Sequence, residues 1–115
     1  MQSSNGALTP AVFHILLALA DGERHGYAIA QETERVSDGG VRLGPGTLYG
    51  SIQRLLRDGL IEESTRVRRA ADDERRRYYK LTAAGRRVLE HETARMSALV
   101  TAARAKRVLR RANPA

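Results

Sequence analysis

The stretch Leu43-Gly44-Pro45-Gly46-Thr47-Leu48-Tyr49-Gly50-Ser51-Ile52-Gln53-Arg54-Leu55-Leu56-Arg57-Asp58-Gly59-Leu60-Ile61 reads as a short helix with one face turned outward. Gly44 and Pro45 open it, because proline's fixed φ suits a first helical turn, and Gly59 closes it by supplying a left-handed residue. Between these limits Leu48, Ile52, Leu55 and Leu56 recur at i, i+4, i+7 and i+8 and make one buried stripe. The opposite stripe is Thr47, Gly50, Ser51 and Arg54. Small hydroxyls, a glycine and an arginine suit a surface that lies deep in a groove, where bulk is excluded and Arg can fork onto a guanine edge. This is the profile expected of a helix that reads DNA.

Outward from that helix, the chain divides into elements with clear start and stop signals. Residues 1–7 read as a flexible arm. Thr9 makes an N-cap with Pro10 at the first helical position, and Leu8, Val12, Ile15, Leu16 and Leu19 supply an apolar stripe that Asp21-Gly22 stops. A second helix is expected from His25 or Gly26 to about Ser37, with Tyr27, Ala30 and Val36 buried and the Asp38-Gly39-Gly40 breaker at its end. Residues 60–68 and 75–81 read as two antiparallel strands, the second alternating Arg77, Tyr79 and Leu81 against Arg76, Tyr78 and Lys80. Their connection, residues 69–74, is long enough for a hairpin tip. Thr82 then caps a last helix expected from 83 to about 110, too long for so small a domain to cover. Leu89, Met96, Val100 and Ala103 make its discontinuous apolar seam, flanked by Val88, Leu99, Val108 and Leu109. Without strict heptads, this seam predicts packing against a second subunit rather than a free-standing coiled coil.

The chain has 115 residues, no Cys, no Trp and one Phe, which fits one small domain with an aliphatic core. No disulfide framework or thiolate metal site is available, and no apolar run reaches the roughly 18 residues of a membrane span. Met1 to Gly6 lack a basic signal-peptide region, so a cytoplasmic location with no membrane partner is expected. The net charge of +7 is zoned. Residues 1–40 hold two Arg against five carboxylates, whereas residues 66–80 hold six Arg and one Lys against three carboxylates. Residues 104–115 carry five further cations. Zoned basicity suits a polyanion, because neutralising phosphates releases counterions. The last basic run also serves a helix C-terminus and is not assigned to DNA.

Catalysis and metal binding find little support. His14, His25 and His91 stand at no metal-ligand spacing, no cofactor motif is present, and His25 is best placed to cap the second helix. Asp72, Asp73 and Glu74 cluster on a hairpin tip without a pocket. There is no Gly-rich phosphate loop and no nucleophile elbow. An enzyme is not expected.

Three helices, a basic hairpin and a long helix make an α+β, mainly α, winged helix-turn-helix arrangement. Within it, His25-Gly26-Tyr27, Gly46-Thr47-Leu48-Tyr49, Arg54-Leu55 followed by Asp58-Gly59-Leu60-Ile61, and Arg76-Arg77-Tyr78-Tyr79-Lys80-Leu81-Thr82-Ala83-Ala84-Gly85 stand in register. Together they resemble the PadR family of bacterial transcriptional regulators in its short form. The resemblance implies a DNA-binding domain over residues 8–82, a dimerisation helix over 83–111 and a tail over 112–115. It implies a homodimeric repressor on double-stranded, pseudo-palindromic operator DNA, near its own gene or a transporter or detoxification gene. By match to the family, Thr47 and Ser51 hold recognition-helix positions, Tyr49 faces the DNA backbone, and Arg76 and Arg77 lie on the basic strand leaving the wing. Gly50 departs from the proline common among relatives, which loosens the first turn. The implied dimer joins first and last helices through Val12, Leu16, Leu89, Met96, Leu99, Val100 and Ala103. An aromatic or amphipathic effector would sit at Phe13, Met96 and Leu99, residues that plain core packing also accounts for.

Alternatives stay open at individual positions. Tyr49 also fits a boundary core residue, and Arg54 a solvated one. Arg68, Arg69, Arg75 and Arg76 suit phosphate contacts, while the alternation around Arg77 could turn its stem inward. Tyr78 and Tyr79 read as strand packing rather than base stacking. For the whole chain, a winged-helix protein-interaction module and a nonspecific DNA binder are the rivals. The first would show large apolar anchors where Thr47, Gly50, Ser51 and Arg54 stand.

Overall fold

A proline at N1 behind a threonine starts the first helix as the sequence predicts. In the computed structural model, which describes residues 8–64 and 77–109, α1 spans Pro10–Ala18 and the Val12 N–H donates to Thr9 Oγ1 at 3.2 Å. A short strand β1, Arg24–His25, leads directly into α2, Gly26–Val36. His25 caps α2, its Nδ1 accepting from the Ala28 N–H at 3.2 Å, which places the ring proton of the neutral form on Nε2. Then come α3, Pro45–Arg57, β2, Ile61–Glu63, β3, Tyr78–Leu81, and α4, Ala83–Ala105. The arm and tail expected over 1–7 and 112–115, like the hairpin tip, lie outside the described residues.

Helices α2, α3 and α4 all close the same way. In each, a residue in the left-handed region follows the C-cap, Asp38 at φ 53°, Gly59 at 75° and Arg107 at 63°. The next residue's N–H reaches back five positions, Gly39 to Glu34 O at 2.8 Å, Leu60 to Leu55 O at 3.0 Å and Val108 to Ala103 O at 2.8 Å. Gly59 suits this role for want of a Cβ. Arg107 does not, and its turn ends α4 at Ala105, about a turn before the expected 110.

The sheet has the order β1-β3-β2, all antiparallel, with Arg24 opposite Tyr79, His25 opposite Tyr78, and Ile61 opposite Leu81. The two strands of the expected hairpin are therefore joined by a third that a two-residue run beside a turn does not announce. Ile61 and Tyr79 point from the sheet into a core completed by Val12, Ile15, Leu16, Ala18 and Leu19 of the first helical segment, Ile29, Leu48, Ile52, Leu55 and Leu89. On α2 the inward face is Gly26, Ile29 and Thr33, so Tyr27 and Val36 are exposed rather than buried and Ala30 is half-buried. Tyr27 falls more than 100° off that face and Ala30 lies on its flank, while Val36 is near the face in phase but is the last residue of α2, beyond the cover of the core, which corrects the expectation.

The start of α4 is fixed to the end of α3. Thr82 Oγ1 donates to Gly59 O at 2.7 Å and accepts from the Gly85 N–H at 3.0 Å. A Cβ at Gly85 would overlap the Leu60 carbonyl oxygen, so glycine permits this close approach. Beyond Leu89 and Glu92, no described residue of α4 is buried on its C-terminal side. Val12, Leu16 and Leu89, expected at a dimer interface, are instead core residues of this protomer, because α1 and the first turns of α4 pack on each other.

Candidate nucleic-acid interface

Helix α3 is set by its apolar stripe, and that stripe decides what faces out. Leu48, Ile52 and Leu55 are buried and Leu56 is half-buried. At about 100° per residue, the direction opposite them belongs to Gly46, Gly50, Gln53 and Arg57, with Thr47 and Arg54 on one flank and Tyr49 on the other. All seven are exposed. Ser51 is not: it is 6% exposed, which corrects its expected place on the outward stripe. Three residues after Leu48, it lies only about 60° from the centre of the buried face, and a small side chain fits there.

The outward face carries two arginines. Among the described residues neither Arg54 nor Arg57 makes an ion pair, whereas Arg24, Arg35, Arg42, Arg77, Lys80 and Arg95 each do. At its N-terminal end the face is flat. A Cβ at Gly46 or Gly50 would meet no atom within 4 Å, and Gly44 caps the helix with no side-chain bond. Gln53 and Arg57 are the members that the sequence pattern missed. Their position opposite Leu55 and Leu48 is visible in the spacing, but a preference for small residues selects Ser51 instead.

Tyr49 stands at the border between this face and helix α2. It is 48% exposed, and its ring lies directly over Gly26 at the first position of α2. The sheet adds Arg77, exposed and 3.6 Å from Glu63, with Lys80 3.9 Å from Glu62 across the same strand pair. Arg68, Arg69, Arg75 and Arg76 lie outside the described residues.

The carboxylates whose titration is shifted lie away from α3. The Arg95 guanidinium donates to the Glu92 carboxylate at 2.6 Å and holds it below the usual carboxylate range, with the Leu8 N–H adding a smaller effect. The Arg35 and Arg24 guanidiniums lower Glu32 and Asp21 in the same way. Burial raises the Tyr79 phenol. Among the described residues no group of His, Asp and Glu could hold a metal, and no helix is long and apolar enough to cross a membrane.

On the far half of α4, Leu99 is 55% exposed, Val100 is exposed, and Met96 and Ala103 are half-buried. Phe13 on α1 is also half-buried. Leu89 apart, the residues of the expected seam make a surface strip on one protomer.

Known proteins are similar to this chain in sequence and in fold. The chain is 47% identical over 85 residues to an uncharacterised 37.1 kDa protein of transposon Tn4556 from Streptomyces fradiae, covering 74% of this chain and 22% of that protein. It thus spans about a fifth of that relative's length. It is 43% identical over 79 residues to the transcriptional regulator Rv3488 of Mycobacterium tuberculosis, covering 69% of this chain and 68% of that one. A PadR family transcription regulator from Clostridium difficile superposes with a TM-score of 0.70 at 24% identity, covering 84% and 97% of the two chains. Bacillus subtilis PadR in complex with operator DNA gives 0.59 at 22% identity, covering 70% and 44%. Both likenesses are of fold. The family model described as "Transcriptional regulator PadR-like family" matches residues 15–91, more than half of the sequence, and the chain belongs to that family of transcriptional regulators.

Proposed function

We propose that this regulator is a repressor that binds a pseudo-palindromic operator as a homodimer, with the outward face of α3 in the major groove. The observation that carries this reading is the pair Arg54 and Arg57. Both are exposed and free of ion pairs among the described residues, on a helix face whose N-terminal half carries Gly46, Thr47 and Gly50, with Tyr49 at its border. Unpaired guanidiniums on a flat helix suit phosphates and guanine edges. Thr47, Gly50 and Arg54 keep their assigned place in this reading, and Gln53 and Arg57 join them. The wing arginines 68, 69, 75, 76 and 77 would follow the backbone. The Bacillus protein of the same fold was crystallised with operator DNA, which supports the arrangement.

The dimer rests on α4. Its second half offers Met96, Leu99, Val100 and Ala103 with little cover from its own protomer, a strip that a second copy would bury. Dimerisation would place two α3 helices about one DNA turn apart, roughly 34–36 Å. An aromatic or amphipathic effector would enter where Phe13, Met96 and Leu99 meet between protomers and release DNA by changing that separation. Such a regulator works in the cytoplasm.

The test is binding of the purified protein to its own upstream DNA and to a random duplex across a salt series, with stoichiometry read in the same titration. Selective binding of two chains per site is expected. Equal affinity for both duplexes would overturn the operator assignment, and one chain per site would overturn the dimer.

A further inference from the structure

Gly26 has no backbone reason to be glycine. It is the first residue of α2, its N-terminal side is capped by His25, and it is not among the glycines of positive φ. Alanine is the better helix former. The reason lies in the neighbouring helix. A Cβ built at Gly26 would stand 2.6 Å from the Tyr49 hydroxyl oxygen, 2.8 Å from Cε1 and 2.9 Å from Cζ, well inside the 3.5–4.0 Å at which carbon atoms ordinarily touch. The outer edge of the Tyr49 ring is therefore seated on the α-carbon of Gly26.

We infer that Gly26 is a positioning residue: it provides the seat that holds the Tyr49 hydroxyl at the edge of the DNA-facing surface. The inference rests on the proposed DNA binding. A free tyrosine that is half-exposed would sample several rotamers, and ordering it on DNA would cost side-chain entropy. Seated on Gly26, the ring is ordered beforehand and its O–H points from a fixed place. The three atoms nearest a methyl group at position 26 all belong to the far end of this side chain, and the exposed side of Tyr49 leaves solvent for the ring to swing into. The substitution Gly26→Ala thus displaces the hydroxyl without disturbing the core.

The experiment compares wild type, Gly26→Ala, Tyr49→Phe and the double variant in affinity for the upstream duplex and in thermal melting. It also reads the Gly26 α-proton shift in the free protein by NMR. Gly26→Ala and Tyr49→Phe should each weaken binding by about tenfold, the scale of one hydrogen bond to a charged acceptor, and the double variant should be no weaker than either. Gly26→Ala should melt no lower than wild type. The Gly26 α-proton should carry a ring-current shift that persists in Tyr49→Phe and disappears in Tyr49→Leu. Additive losses, unchanged affinity in Gly26→Ala, a lowered melting temperature that accounts for the loss, or no ring-current shift would overturn the inference. If wild type binds no duplex while the shift is present, the DNA-binding reading fails, and with it the functional role of the seat.

Discussion

Thr33 sits 1% exposed on the inward face of α2, and its hydroxyl finds no hydrogen-bond partner among the described residues. A buried unsatisfied hydroxyl lowers stability, and valine has nearly its shape without the polar atom. Thr33→Val is expected to raise the unfolding free energy by about 1 kcal/mol, measured by urea denaturation with an unchanged slope. Ser51 is the other small polar residue whose place departs from the pattern. Its hydroxyl reads as outward because small polar residues suit a surface that lies in a groove, yet a serine is compatible with either side and its type carries no phase information. The apolar residues do carry it, and Leu48, Ile52 and Leu55 place Arg57 and Gln53 opposite them.

At the scale of elements, that phase has a measurable outcome. Ser51→Ala should leave operator preference unchanged, whereas Arg57→Ala should weaken binding and reduce the salt slope by about one for each phosphate that the guanidinium neutralises. A salt-titrated binding assay separates the two, and a change of base preference in Ser51→Ala would restore the outward reading. The far half of α4 has its own test: Leu99→Glu with Val100→Glu should yield a folded monomer, since neither residue belongs to the core. Sedimentation together with circular dichroism checks both halves of that statement. Element starts were largely legible in the sequence, because Thr9-Pro10, His25, Gly44-Pro45 and Thr82 each combine a cap with a chemical reason. Two features were not. Strand β1 is too short to show alternation and exists through its pairing with Tyr78 and Tyr79, while α4 stops at an arginine in a conformation that no local signal marks. Val12, Leu16 and Leu89 are apolar and stand on the expected faces, but periodicity does not say whether a face meets its own chain or a second one.

For the whole molecule, acid should act through carboxylates held by arginines. Glu92, 4% exposed, keeps a lowered pKa beside Arg95, and Asp21 and Glu32 are lowered by Arg24 and Arg35. A carboxylate whose folded pKa lies below its unfolded value adds stability above the unfolded pKa, about 4.3 for Glu, and loses it as pH falls through the folded value. Melting temperature should therefore be flat near neutrality and fall below about pH 4. Glu92→Gln should melt lower than wild type at pH 7 and show a shallower acid limb. A parallel limb would mean that Glu92 contributes nothing to acid sensitivity.

His25 belongs to two elements at once. It pairs with Tyr78 in the sheet, its ring meets that tyrosine edge-on at 5.3 Å, and the same ring caps α2 one residue before the seat of Tyr49. Strand β3 is thus tied, by the β1 pairing and by this imidazole, to the first turn of α2 beneath Tyr49. The hairpin and α3 cannot be re-aimed independently: a slip of one residue in that short pairing would move the cap, the first turn of α2 and the tyrosine together. The shortest strand, at one edge of the sheet, serves as a gauge, setting the gap between the hairpin strands and α3.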